Sequence, residues 1–265
     1  MAQRYVRVRT HQKQVYYGLL RLDRSVGVFD APPWLGGQLT DIDLKPDTYS
    51  ILAPCAPSKI VAVGKNYLKH ALEMGTPVPR EPLLFLKPST TIIGDEAAIK
   101  YPKQSVRVDY EGELALIIGS LSQGETIHGY CKDLSPELAR KVIWGYTIAN
   151  DVTARDLQKK DGQWTRAKGF DTFCPLGPWI VRELPLEARL KTFLNDSDTP
   201  KQSALISEMI FPPEFLVSYI SHIMTLNPGD VILTGTPEGI GSLKVGDCVT
   251  VEIEGIGSLS NYVIA

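Results

Sequence analysis

Asp109-Tyr110-Glu111-Gly112-Glu113-Leu114-Ala115-Leu116-Ile117-Ile118 joins an acidic head to an unbroken apolar run. In an extended strand alternate side chains point the same way, so Asp109, Glu111 and Glu113 would share one face. The run at 114–118 has no polar side, which predicts a strand covered on both faces. Carboxylates leading into such a strand are costly unless positive charge meets them. A hard divalent cation, which prefers carboxylate oxygens, is the natural partner. An acidic, solvated strand edge is the alternative.

On the N-terminal side, residues 5–9, 15–22 and 26–29 read as short strands, punctuated by Pro32-Pro33 and Gly36-Gly37. They form a small β module over 1–57, with Ala53-Pro54-Cys55-Ala56-Pro57 as its linker to a main domain over 58–265. That domain opens with a buried strand at 59–64, a short helix at 67–74 stopped by Gly75, and a strand at 83–86. Beyond the acidic strand, Ser135-Pro136 starts a helix and residues 146–150 form a strand ending at Asp151. Thr153-Ala154-Arg155-Asp156 fits a capping box for a further helix. Phe211-Pro212-Pro213 opens an amphipathic helix whose stripe of Phe215, Leu216, Tyr219, Ile220, Ile223 and Met224 is expected in the core. The C-terminal part alternates as strands, with Val249, Val251 and Ile253 on one side. Strands outnumber helices without alternating regularly with them, which predicts an α+β fold with a curled, mixed sheet rather than a doubly wound one.

The 265 residues suit one large domain or a large plus a small one, and 43% hydrophobic with 22% charged residues is ordinary for a soluble protein. A net charge of -2 argues against nucleic acid or an anionic membrane as partner. No signal peptide or membrane span is read from the chain. Cys55, Cys131, Cys174 and Cys248 form no metal or disulfide spacing and read as reduced thiols in a cytoplasmic protein.

Asp151, where a strand gives way to a helix, is the candidate third ligand beside Glu111 and Glu113; a turn or cap role is the alternative. Three such carboxylates leave positions open for water or substrate, which suits Mg²⁺. His70 and Glu73, three apart on the short helix, share a face. A carboxylate beside a histidine fixes its tautomer and raises its basicity, so the pair can activate water, unless the helix is an ordinary surface one. His11 and His128 are expected in loops, and His222 on the polar side of the long helix. Lys168 has no periodic context and by itself reads as solvated. Thr234-Gly235-Thr236-Pro237-Glu238-Gly239-Ile240-Gly241 is a glycine-rich turn able to offer N–H groups and a hydroxyl to a carboxylate. It lacks the Lys-Ser/Thr ending of a phosphate loop, and no Gly-x-Ser-x-Gly elbow occurs.

Taken in order, Val63-Gly64-Lys65-Asn66-Tyr67, Phe85-Leu86-Lys87-Pro88-Ser89, Tyr110-Glu111-Gly112-Glu113-Leu114, Asn150-Asp151-Val152-Thr153-Ala154-Arg155-Asp156, Lys168-Gly169-Phe170-Asp171 and Thr234-Gly235-Thr236-Pro237 resemble the fumarylacetoacetate hydrolase family, from about Lys59 to the end. The resemblance implies a mixed β-roll catalytic domain, a small N-terminal β module, a homodimer, and Mg²⁺ or Mn²⁺ on Glu111, Glu113 and Asp151. It further implies that Lys168 touches the substrate beside the metal, that Thr236 holds a substrate carboxylate, and that Gln158 contacts the substrate. His70 and Glu73 match a dyad on a mobile lid, with Gly64 and Gly75 as candidate hinges. Lys65 stands where the family commonly has arginine, which keeps the charge and loses the planar fork. Asp109-Tyr110 stands where acylpyruvase-like members often have two histidines, so the segment looks closer to bacterial diene-dioate isomerases.

The expected activity is Mg²⁺-dependent C–C cleavage of a small 2-oxo acid, as an acylpyruvate hydrolase or oxaloacetate decarboxylase. The 2-oxo acid would chelate the metal and leave as an enolate. A 2-hydroxyhepta-2,4-diene-1,7-dioate-type isomerase is the alternative, and a non-enzymatic, metal-stabilised binding protein a further one.

Overall fold

The computed structural model describes residues 2–123, 126–128 and 131–265. Its backbone is mostly strand. A 12-stranded sheet runs, in spatial order, through Leu39–Leu44, Val26–Phe29, Val15–Leu20, Arg4–Thr10, Cys174–Val181, Ile143–Asn150, Gly112–Ile118, Val231–Leu233, Ile60–Gly64 and Leu83–Lys87. Tyr49–Leu52 and Ile92–Ile93 pair with it off this path. A five-stranded sheet orders Gln202–Leu205, Arg189–Leu194, Cys248–Ile253, Gly257–Ile264 and Ala98–Lys100. The sheets are mixed: Val231–Leu233 runs parallel to Ile60–Gly64 and antiparallel to Gly112–Ile118. The α+β class with mixed sheets is therefore as the sequence indicates.

Every residue of Gly112–Ile118 is buried. Period two divides the apolar run between two cores. Leu114, Leu116 and Ile118 join one with Leu190, Val251 and Ile253 of the five-stranded sheet and Leu216 and Ile220 of the helix Pro213–Ile223. Ala115 and Ile117 face the other, with Trp34, Cys55, Cys174 and Leu176. The neighbouring Ile60–Gly64 strand alternates likewise, with Val61 and Val63 in the first core and Ile60 and Ala62 in the second. The N-terminal strands join the large sheet where Tyr5 pairs with Ile180, and Tyr5 and Trp34 each pack edge-on against Trp144.

Five sequence expectations change. The acidic segment is not one strand: Val108–Tyr110 belongs to a three-stranded sheet with Thr153–Ala154 and Gly241–Leu243, and the chain crosses to the large sheet at Glu111. The supposed linker is packed, with Ala53 and Cys55 inside the second core. The capping box does not form: Thr153 Oγ1 donates to Asp151 O, and the Asp156 carboxylate accepts from Ser105 Oγ and Val106 N. On Pro213–Ile223, Leu216, Val217 and Ile220 are buried, whereas Phe215 is 39% and Ile223 54% exposed. Phe215 stacks on Phe211 and Tyr219 instead. His128 ends the strand Thr126–His128 rather than lying in a loop. Ser135 does cap its helix, accepting from Leu138 N. Among the described residues no helix is long and apolar enough to cross a membrane.

Candidate active site

Antiparallel pairing builds the acidic centre. Gly112 pairs with Asn150, so Glu111, just before one strand, meets Asp151, just after the other. Asp151 N donates to Glu111 O at 2.8 Å, and Glu111 N donates to Asn150 Oδ1 at 2.9 Å. Glu113 follows two residues on and accepts from Gly235 N at 2.7 Å through Oε2. Carboxylate oxygens of Glu111, Glu113 and Asp151 lie within 4.8 Å of one another, and all three side chains are buried.

Cations surround them. Lys168, at the end of the helix Thr165–Lys168, donates to Glu111 Oε2 at 2.8 Å and to Asp151 Oδ2 at 2.5 Å. Its ammonium also lies 5.0 Å from the Phe85 ring centre. Lys87 Nζ reaches Asp151 Oδ1 at 2.6 Å. Arg155 uses Nη2 on Glu111 Oε1, Nη1 on Gln158 Oε1 and Nε on Asp109 Oδ2. Burial pushes Glu111 up, but the Lys168 and Arg155 charges overcome it and hold the carboxyl well below its ordinary range. Burial lowers Lys168, and Asp151 and Glu111 more than reverse that, so it stays charged. Glu113 goes the other way: burial first, then the charges of Asp151 and Glu111, raise it well above 4.5.

These residues fit a hard divalent cation. The donors are three buried carboxylates whose oxygens converge within 4.8 Å, and Glu113, which no cation of the cluster pairs, is left repelled by its two neighbours.

The centre opens into a cavity of about 180 Å³ lined by every candidate catalytic, metal-binding and substrate-binding residue of the sequence except Glu73; Asp109, the third acid of the opening segment, is not among its lining residues. Lys65, His70, Gln158, Lys168 and Thr236 all line it with the acidic triad. Glu73 stands behind His70: Nδ1 of the ring lies 3.1 Å from Glu73 Oε2, and Oε1 accepts from Gly239 N at 3.1 Å. His70 is buried, which sets its helix, Leu68–Glu73, apart from an ordinary surface one. Gly239 has φ +92, and a Cβ there would meet Lys201 O at 2.0 Å, so only glycine places this N–H. Gly75 has φ +65 and open space around it, whereas Gly64 is packed against the Trp164 ring. Lys65, at φ 60, makes no hydrogen bond or ion pair with another described residue. Thr236 Oγ1 donates to Gly112 O at 2.9 Å and accepts from Gln202 Nε2 at 2.8 Å, and Gly235 N–H serves Glu113. The glycine-rich turn therefore supports the acidic centre from behind. Phe85 and Trp164, packed edge to face 5.0 Å apart, give the cavity an apolar wall.

Lys87 and Arg155 fall inside blocks that carry the family resemblance, yet the sequence assigns them no role, and Gln202 falls inside none. An apolar strand ending in lysine and an arginine four residues past Asp151 were the available hints.

Comparison with known proteins adds three relatives. The chain is 42% identical over 229 residues to the mitochondrial oxaloacetate tautomerase fahd2 of Xenopus laevis, covering 81% of this chain and 68% of that one. Its structure matches a 2-hydroxyhepta-2,4-diene-1,7-dioate isomerase from Mycobacterium marinum with a TM-score of 0.87, at 40% identity, covering 99% of this chain and 98% of that one. It matches a fumarylpyruvate hydrolase from Pseudomonas aeruginosa, in complex with Mn²⁺ and pyruvate, with a TM-score of 0.71 at 31% identity, covering 81% and 91%. Residues 3–54 match an Rv2993c-like N-terminal domain. Residues 59–264, carrying the whole acidic centre, match the fumarylacetoacetate (FAA) hydrolase C-terminal domain, and the chain belongs to that family of enzymes.

Proposed function

We propose that this chain is a metal-dependent enzyme that cleaves a C–C bond in small 2-oxo acids, as an acylpyruvate hydrolase or an oxaloacetate decarboxylase. The observation that carries this is His70, backed by Glu73, lining the same cavity as three buried carboxylates and Lys168. Glu111, Glu113 and Asp151 would hold Mg²⁺ or Mn²⁺, which when bound supplies Lewis-acid polarisation of the substrate's 2-oxo group.

The rest is done by side chains. Lys65, whose side chain pairs with no other described residue, takes a substrate carboxylate as a point charge, and Gln158 orients the chain beside it. Phe85 and Trp164 exclude water from one wall. Glu73 accepts the Nδ1 proton of His70, which leaves Nε2 with its lone pair as the base. With an acylpyruvate, Nε2 takes a proton from the water whose oxygen bonds to the distal carbonyl carbon. The C–C bond on the methylene side then breaks, and the proton returns to the methylene carbon. Oxaloacetate loses CO₂ with no attacking water, and the enolate carbon left behind takes one proton from solvent.

A second reading is proton transfer alone. The similarity to an oxaloacetate tautomerase and a diene-dioate isomerase favours it, since His70 can move a carbon-bound proton without water. A homodimer belongs to the same family expectation; Leu83 and Leu86, exposed on the edge strand of the large sheet, are apolar surface it would cover.

Steady-state turnover of oxaloacetate, acetylpyruvate, fumarylpyruvate and a hydroxy-diene dioate with Mg²⁺ tests this. Cleavage lost with EDTA supports the first reading. Isomerisation without cleavage moves the protein to the second, and turnover that survives chelation rejects both metal-dependent readings.

A further inference from the structure

We infer that Asp109 is a positioning residue for the acidic centre, acting through Arg155. This rests on the metal-site reading above and adds a residue to it.

Asp109 was the third acid of the opening segment, and its carboxylate is wholly buried. It does not join the triad. Its oxygens are taken by two guanidinium groups: Arg107 Nε and Nη2 at 2.9 and 3.2 Å, and Arg155 Nε at 2.9 Å. The backbone of Asp109 is fixed on both sides, opposite Thr153 in one strand and Ser242 in the other. The carboxylate is thus an anchored acceptor.

Arg155 carries what that anchor fixes. Its three kinds of nitrogen go to three different side chains: Nε to Asp109, Nη1 to Gln158 and Nη2 to Glu111. A guanidinium is planar, so fixing Nε fixes the directions of both Nη groups. One of them then sets the rotamer of a metal ligand and the other that of a cavity-lining amide. Asp109 touches neither the cavity nor the triad, and it orients both through one rigid plane. Arg107 neutralises the rest of the Asp109 charge from the outside, where its side chain is 51% exposed, and contacts neither Glu111 nor Gln158.

The test is Mn²⁺ binding by calorimetry to purified full-length Asp109→Ala, Asp109→Asn and Arg107→Ala, beside KM and kcat on any substrate the wild type turns over. Asp109→Ala should weaken Mn²⁺ roughly tenfold or more and raise KM, because Glu111 and Gln158 lose their fixed partner. Asp109→Asn, which keeps one acceptor oxygen for Arg155 Nε, should recover most of the loss. Arg107→Ala should bind Mn²⁺ as wild type does, whatever its melting temperature. If Asp109→Ala does not fold, Arg107→Ala decides: Mn²⁺ affinity weakened roughly tenfold or more in that variant would make the charge around Asp109, not the Arg155 plane, the cause, and overturns the inference. Wild-type affinity in a folded Asp109→Ala also overturns it. A wild type that binds Mn²⁺ and turns over nothing on the panel, with Asp109→Ala still weakened, defeats the functional reading and leaves this one standing. A wild type that binds no Mn²⁺ removes both.

Discussion

Lys87 Nζ stands 2.6 Å from Asp151 Oδ1 with both side chains buried. Lys168 approaches the other oxygen of the same carboxylate at 2.5 Å. Asp151 is therefore held between two internal ammonium groups. Removing one partner of a buried pair leaves charge without compensation. Lys87→Met should cost on the order of 3 kcal/mol in EDTA, and less with saturating Mn²⁺, because a bound cation would replace the lost charge. Thermal melts under the two conditions check this; equal losses in both would detach Lys87 from the acidic centre.

Glu113 gives a pH dependence with a definite sign. Burial, then Asp151 and Glu111, raise it well above 4.5. A folded-state value above the unfolded one favours folding fully below 4.5, and that contribution is lost as pH rises through the raised value. Burial of Glu111 is overcome by Lys168 and Arg155, so its contribution runs oppositely: present above 4.5 and lost as pH falls. Metal needs Glu113 ionised, so Mn²⁺ affinity should climb with pH above 4.5 as binding releases a proton. A dissociation constant flat across that window, measured by calorimetry in two buffers, would contradict the assignment.

The dyad divides cleanly by substitution. His70→Ala should lower hydrolysis of acetylpyruvate roughly 10²–10⁴-fold, the usual range for a general base. Glu73→Gln turns an amide N–H toward Nδ1 and drives the ring proton to Nε2, so it should fall at least about tenfold while His70 stays in place. Mn²⁺ binding should be intact in both. Unchanged hydrolysis by His70→Ala would end its role as base.

Lys65 lines the cavity, and its side chain, like that of Lys159, pairs with no other described residue. Lys65→Ala should raise KM for a dicarboxylate by roughly 10–100-fold, the range for a charged hydrogen bond, with a small change in kcat. A variant that alters kcat and leaves KM alone would place Lys65 elsewhere in the reaction.

How much of this was legible depends on the range of the interaction. The apolar run after Glu113 announced a strand covered on both faces, because period two is local and both faces of Gly112–Ile118 are buried. Glu111 and Glu113 were visible as a pair, and Asp151 as a carboxylate at a strand end. What joins them is the pairing of Gly112 with Asn150, a register that no local pattern encodes. Lys87 and Arg155 escaped for the same reason: their burial makes sense only once Asp151, Glu111 and Asp109 are beside them. Asp109 was grouped with the glutamates because the break between sheets at Glu111 falls inside an extended stretch. On the long helix, Leu216 and Ile220 faced inward as the spacing says, while Phe215 and Tyr219 stack outward in a row with Phe211, which precedes the helix and packs at the core's edge.

The strand between the two cores has a consequence in time as well as in space. Gly112–Ile118 is hydrogen-bonded along one edge to Ile143–Asn150 and along the other to Val231–Leu233, and no residue of it reaches the surface. Its amides have no local route to solvent, so they should exchange with deuterium only when the whole molecule opens. Glu113 is part of that strand and Glu111 adjoins it. Two of the three carboxylates thus share the lifetime of the fold itself, whereas His70, across the cavity, rides on a helix of six residues.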